Sequence, residues 1–245
     1  SFRYPPMIIA VLGVAFYFIT RDRPSDVGLP DYVEEDAVSA TPESIDSALL
    51  KGFGPYKLLL SNTRFLMACH VKGLENIVRY GLTTWVPIYY FEEGGLSIES
   101  TVLLTILLPA GYLIAPPAAG IFSDRYLGSR RQPMILFSCA VSAAVLIGVA
   151  FAPPVNVTAG AALMFAGGLS MGLSSINSVA VDIAGRHMSG TATGIMSAHG
   201  YAYAGAQALI FAAVLDMAGS PWPIVFLAMA ATRVLSAVMI SRVNV

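Results

Sequence analysis

Lys72, Glu75, Asn76 and Arg79 lie inside an apolar run from Phe65 to Phe91. Their spacing is i, i+3, i+4 and i+7, which on a helix makes one polar stripe. The run is long enough to span a bilayer, so the stripe falls at membrane depth. A central Arg, Lys or Glu costs roughly 2.5–3.5 kcal/mol to insert, while each Leu, Ile or Phe returns only about 0.3–0.6 kcal/mol. Such a helix inserts marginally by itself and makes sense only if the stripe faces other helices or a wet cavity. The chemistry on offer is that of a solute pathway. Glu75 precedes Arg79 by four residues, an orientation that favours an ion pair. That pair could hold Arg79 poised, neutralise a buried charge, or leave Glu75 to carry a proton. Lys72 either contacts the solute or snorkels toward the cytoplasm.

The elements that position this stripe must themselves be membrane helices. Charged residues make up 12% of the chain, half of the roughly 25% usual in a soluble domain. Mean hydropathy is +0.69. Apolar spans fall at about 4–20, 65–91, 100–122, 133–152, 158–183, 191–216 and 222–241. Arg21, Arg23, Lys51, Lys57, Arg64, Arg125, Arg130, Arg131, Arg186 and Arg242 then share one face, which is ten of the fourteen basic residues. The opposite loops at 92–99, 153–157 and 217–221 carry no Lys or Arg. This asymmetry assigns the basic face to the cytoplasm. The expected location is multi-pass in the cytoplasmic membrane of a bacterium or archaeon.

Residues 21–64 read as a cytoplasmic linker. Thr41, Pro42 and Glu43 predict a helix start and a short surface helix to about Lys51. The first residue is Ser and a span follows almost at once, so the chain reads as a fragment or a processed product. Cys69 and Cys139 fall in apolar spans and read as buried thiols. Pro109, Pro116 and Pro117 predict kinks in the third span. Asn177, Ser170, Ser174, Ser175 and Ser178 are expected to bond mainly to backbone. Arg233, deep in the last span, is expected to pair with Asp182 or Asp216 or to snorkel. No metal-ligand spacing, nucleotide loop or nucleophile–base arrangement occurs. An enzyme, a cofactor, a metal and a nucleic-acid partner are therefore not expected.

Two stretches carry a family likeness. Gly120, Asp124, Arg125, Gly128, Arg130 and Arg131 form a turn that resembles the cytoplasmic loop signature of the major facilitator superfamily, G-x-x-x-D-R-x-G-R-R, with one extra residue on each side of the second Gly. A network through Asp124 and these arginines could latch one conformation. In the linker, Arg21, Asp22, Pro24, Gly28, Leu29 and Pro30 resemble the R-D-x-P-x-x-x-G-L-P segment of the organophosphate:phosphate antiporter family. Arg79, Tyr80, Gly81 and Trp85 are similar to the R-Y-G…W run in the seventh helix of its glycerol-3-phosphate-carrying members. Gly190, Thr191, Ala192, Gly194, Gly200 and Tyr201 are similar to the eleventh.

The resemblance implies an all-α transmembrane fold: the C-terminal six-helix bundle (65–245) of a major facilitator fold, with the preceding helix (1–20) and the central linker (21–64). It implies alternating access around a site between two bundles, with inorganic phosphate and a small organophosphate such as glycerol 3-phosphate as substrates. The partners implied are membrane lipids and an N-terminal six-helix half. Arg79 falls on the phosphate-gripping Arg of the C-terminal bundle, and its forked donors suit that task. Lys72, Asn76, Tyr201 and His199 complete the expected substrate contacts, with Glu75 as ion pair or coupling residue. Lys72 and Glu75 depart from the family pattern, as do Thr193 and Met196 where hexose-phosphate carriers have Asp and Lys. Two other functions stay open: a proton-coupled organic-anion symporter using Glu75, and a non-transporting sensor of phosphate esters.

Overall fold

The computed structural model describes residues 4–21, 24–28, 52–128, 130–185, 188–217 and 222–243. The short surface helix expected at 41–51 lies outside the described residues. The chain divides into two units, Ser1–Asp46 and Ser47–Val245. The described residues of the first form α1 (Tyr4–Ile19), an apolar helix with none of its residues buried, and a 3-10 turn, Pro24–Val27.

The second unit is a helical bundle: α2 (Gly54–Leu60), α3 (Thr63–Glu92), α4 (Ile98–Tyr126), α5 (Gln132–Phe151), α6 (Val157–Gly172), α7 (Ile176–Ala184), α8 (Ser189–Met217) and α9 (Trp222–Ile240). Local chemistry marks the starts. Asn62 Oδ1 accepts from the backbone N–H of Arg64 at 3.0 Å and of Phe65 at 3.3 Å, opening α3. Ser97 caps α4, and Asn156 caps α6 through the N–H of Ala159 at 3.0 Å. These caps satisfy orphan donors of the first turn. Beyond the short helix expected to end near Lys51, the linker segment also contains α2, which buries Pro55 and Leu59 and packs on α3.

Five segments are long and apolar enough to cross a membrane by length and composition: Ile98–Ser123, Gln132–Phe151, Val157–Ala184, Ser189–Asp216 and Trp222–Ile240. Two of the seven expected spans fall short of that measure for different reasons. α1 has 16 residues. α3 has 30 residues, ample length at about 1.5 Å rise each, but its charged stripe dilutes its apolarity. The fifth expected span is two helices. After Gly172 the helix stops, and Leu173, Ser174 and Ser175 separate α6 from α7. Serine hydroxyls compete for local hydrogen bonds and weaken a helix interior. The three prolines of the third span sit within α4, which is assigned as one helix.

Helix contacts follow an alternating scheme in which α4 packs along α6, α5 along α9, and α3 along both α8 and α9. One apolar core gathers Val78, Leu82, Trp85, Tyr89, Met164, Trp222 and Phe226. A second holds the other end, with Phe65, Cys69, Ile135, Ile176, Val179 and Ile240. α4 and α6 approach through glycine: a Cβ at Gly168 would overlap the carbonyl oxygen of Leu108, and one at Gly172 would lie 2.5 Å from the Cβ of Ala115. Because the obstacle at Gly168 is backbone, Gly168→Ala is expected to destabilise by about 1–3 kcal/mol, as overpacking does. A lowered thermal unfolding midpoint would show it; an unchanged midpoint would mean that the helices separate without cost.

Candidate anion site and its supporting network

The four stripe residues do not share one environment. Lys72, Asn76 and Arg79 line a cavity of about 150 Å³ with Tyr80, Asn177 of α7, and Ser197 and Tyr201 of α8. Among the described residues, no carboxylate contributes to that lining. Two cations, two amides, a serine and two phenols supply a dense set of donors around a net positive charge, which suits an oxyanion.

Arg79 is half-buried, and its guanidinium carbon sits 4.1 Å from the ring centroid of Tyr112 on α4 and 5.9 Å from that of Tyr80. A guanidinium over an aromatic face is held by the ring quadrupole while its N–H edge stays free to donate. Tyr80 in turn lies 6.0 Å, centroid to centroid, from Tyr201. Asn76 is 3% exposed and its Oδ1 has no hydrogen-bond partner among the described residues. α8 reaches this close because position 200 is glycine: a Cβ there would lie 2.6 Å from Asn76 Nδ2 and 3.3 Å from Lys72 Cγ.

Glu75 turns away from the cavity. It is 2% exposed. Lys72 Nζ donates to its Oε1 at 3.4 Å, and Ser174 Oγ donates to its Oε2 at 2.5 Å. The pairing expected with Arg79 is therefore replaced by one with Lys72. Positions three apart sit about 60° apart around a helix, so Glu75 falls on the bundle side while Lys72 bridges the two. Ser174 belongs to the break between α6 and α7, so the same carboxylate ties the cation of the cavity to the interrupted helix. For two of the polar residues expected to bond to backbone the expectation changes, and for Ser170 it does not. Asn177 lines the cavity, Ser174 serves Glu75, and Ser170 donates to Gly167 O at 2.8 Å with Ser142 Oγ 2.9 Å away.

His199 does not line the cavity. Its Nε2 lies 3.2 Å from Nδ1 of His70, which is also 2.9 Å from Tyr203 Oη. Arg233 is 1% exposed and pairs with neither Asp182 nor Asp216; its Nη2 donates to Ser138 Oγ at 3.2 Å. In the loop signature, Arg131 Nε lies 3.6 Å from Asp182 Oδ2 at the end of α7, a partly exposed pair. Arg125 stacks against Tyr126 at 5.9 Å, Ser123 Oγ donates to the carbonyl of Arg130 at 3.4 Å, and Gly128 takes φ 57°. The side chain of Asp124 lies outside the described residues, and with it the expected latch; Arg131 pairs instead with Asp182.

Sequence reading did not single out Tyr112, Ser197 or His70 as site residues. Tyr112 and Ser197 are common types in apolar helices and carry no local signal. His70 lies two residues before Lys72, and only its partners on α8 set it apart.

Fold and site together define a multi-pass integral membrane protein with a polar, cation-lined pocket inside a helical bundle. A sequence profile described as Major Facilitator Superfamily matches residues 1–208 and, overlapping, 111–243. The chain belongs to the major facilitator superfamily. The glycerol-3-phosphate transporter of Bacillus subtilis (strain 168) is 27% identical over 209 residues, 82% of this chain and 46% of that protein. The hexuronate transporter of the same strain is 36% identical over 119 residues, 46% of this chain and 28% of that protein. The chain thus spans less than half the length of these curated relatives.

Proposed function

We propose that this chain forms the C-terminal half of a secondary transporter that exchanges a small organophosphate, such as glycerol 3-phosphate, for inorganic phosphate. The observation that carries this reading is the cavity in which Lys72 and Arg79 face Asn76, Asn177, Ser197 and Tyr201 with no acid among the described lining residues. A phosphate dianion takes forked donors from Arg79 and a point charge from Lys72, while the amides and hydroxyls remain for a polyol tail. The N-terminal half closes the other side of the site, and the halves rock about it in alternating access.

Counterflow tests this directly. Proteoliposomes carrying the full-length transporter are loaded with unlabelled phosphate and given labelled glycerol 3-phosphate outside, without a pH gradient. Entry that depends on internal phosphate is the expected result. Absence of exchange in folded protein would overturn the antiport reading.

A second reading has its own support. One relative is named a hexuronate transporter, and Glu75 is a buried carboxylate tied to a pocket cation. Uptake of a sugar acid driven by a pH gradient, and lost in Glu75→Gln, would establish proton symport in place of exchange.

A further inference from the structure

His70 and His199 meet across the α3–α8 contact, 129 positions apart in the chain, with Nδ1 and Nε2 3.2 Å apart and Tyr203 Oη 2.9 Å from the same Nδ1. Both rings are half-buried, and Tyr203 stacks on His199 at 5.6 Å between centroids. Among the described residues no carboxylate pairs with either imidazole. This cluster is separate from the cavity lining. Position 70 is about 200° around α3 from position 72, so cluster and cavity occupy opposite flanks of the same helix. α8 repeats the arrangement, with Ser197 and Tyr201 in the cavity and His199 and Tyr203 in the cluster.

We propose that His70, His199 and Tyr203 form a proton-binding site coupled to anion occupancy of the Lys72–Arg79 cavity. The proposal rests on the anion reading of that cavity. The neutral pair shares one N–H between Nε2 of His199 and Nδ1 of His70. In either tautomer one ring nitrogen outside that hydrogen bond keeps a lone pair, and a proton from water adds there without breaking any bond. A second proton would set two imidazolium N–H groups against each other, so the pair takes one proton and excludes the next. The added charge lies on the two helices that carry the cavity, and it attracts an anion bound there. Linkage then requires the anion to raise the proton affinity of the pair by the same factor.

Other ionisable groups on the packed elements are engaged or exposed. α3 carries Lys72 bound to Glu75, and Arg79 over Tyr112. α2 carries exposed Lys57. α7 carries Asp182 bound to Arg131, and α9 carries Arg233 bound to Ser138. None of these is in hydrogen-bond contact with the imidazoles. Mechanical contact is also direct, since a Cβ at Gly73 would lie 2.7 Å from the Tyr203 ring. A shift in the cluster therefore moves α8 against the helix that holds Lys72 and Asn76.

The test is calorimetric binding of inorganic phosphate to the full-length transporter, in two buffers of different ionisation enthalpy, from pH 5.5 to 8.5. Wild type is compared with His70→Gln and His199→Gln. Ionisation of phosphate itself is common to all three proteins and cancels in the comparison. Wild type is expected to take up more protons per phosphate than either variant. Its affinity gain between alkaline and acid pH is expected to exceed theirs by about fivefold or more, the range of ordinary site coupling. Should a glutamine variant fail to fold, Tyr203→Phe removes only the hydroxyl and keeps the ring against Gly73; it is expected to move the pH midpoint of that gain. Equal proton numbers and parallel pH profiles in all proteins would overturn the proton site alone. Wild type that binds no phosphate at any pH would overturn the anion reading and the coupling with it.

Discussion

Arg79→Lys is expected to reduce exchange roughly 30- to 700-fold while leaving the protein folded. Lysine keeps the positive charge, so the long-range attraction for an anion survives. It loses the planar fork, and with it one charge-assisted hydrogen bond worth about 1.5–3 kcal/mol. It also loses part of the stacking on Tyr112, where the guanidinium carbon lies 4.1 Å from the ring centroid; such contacts are worth about 0.5–1 kcal/mol when partly exposed. Together these come to about 2–4 kcal/mol, which is the stated factor. Because Arg79 has no carboxylate partner among the described residues, replacing it strands no buried counter-charge. Thermal unfolding should therefore stay near the wild-type midpoint. The measurement is initial-rate counterflow together with that midpoint. Near wild-type exchange by Arg79→Lys would remove Arg79 from the site.

Lys72→Met is expected to act oppositely, through stability. Lys72 and Glu75 are buried together, with side chains 8% and 3% exposed. Removing the cation leaves a carboxylate inside the bundle with Ser174 as its one donor among the described residues. Breaking a buried pair in this way costs about 3–5 kcal/mol, much more than the pair contributes over a neutral replacement. The double variant Lys72→Met/Glu75→Gln is expected to regain more than half of the lost stability, because the amide still accepts from Ser174 and no charge is stranded. A double-mutant cycle on the full-length protein reads the coupling. Additive losses in the double variant would show that the two residues are energetically independent and that the 3.4 Å contact is incidental.

These two predictions separate roles that the linear stripe left merged. A period of 3.6 residues puts Lys72, Glu75, Asn76 and Arg79 on a common side of α3, and that much was legible. It does not say which neighbour each side chain meets. An offset of about 60° is enough to send Glu75 to the α6–α7 break while Arg79 remains at the cavity. Likewise Asn177 and Ser174 are three residues apart near that break, yet one lines the cavity and the other binds Glu75. Arg233 illustrates the reverse case. Its depth in an apolar span predicted a counter-ion, and the bundle supplies a serine hydroxyl instead.

By itself the sequence determined the membrane class, most of the long helices and the family. Apolar runs, cap residues, the asymmetry of Lys and Arg, and the loop signature are all encoded over short stretches, where solvation and backbone hydrogen bonding dominate. It also determined that α3 must hide charge, because the cost of exposing Lys72, Glu75 and Arg79 to lipid exceeds what that helix can return. Only the tertiary structure decided who shares the hiding place. Tyr112, Asn177, Ser197 and Tyr201 are brought to Arg79, and His199 to His70, by close helix crossings that depend on small residues such as Gly168, Gly73 and Gly200. Those contacts join residues more than thirty to more than a hundred positions apart, as Arg79–Tyr112 and His70–His199 do. Their geometry depends on how whole helices pack, and no local pattern of residues encodes it.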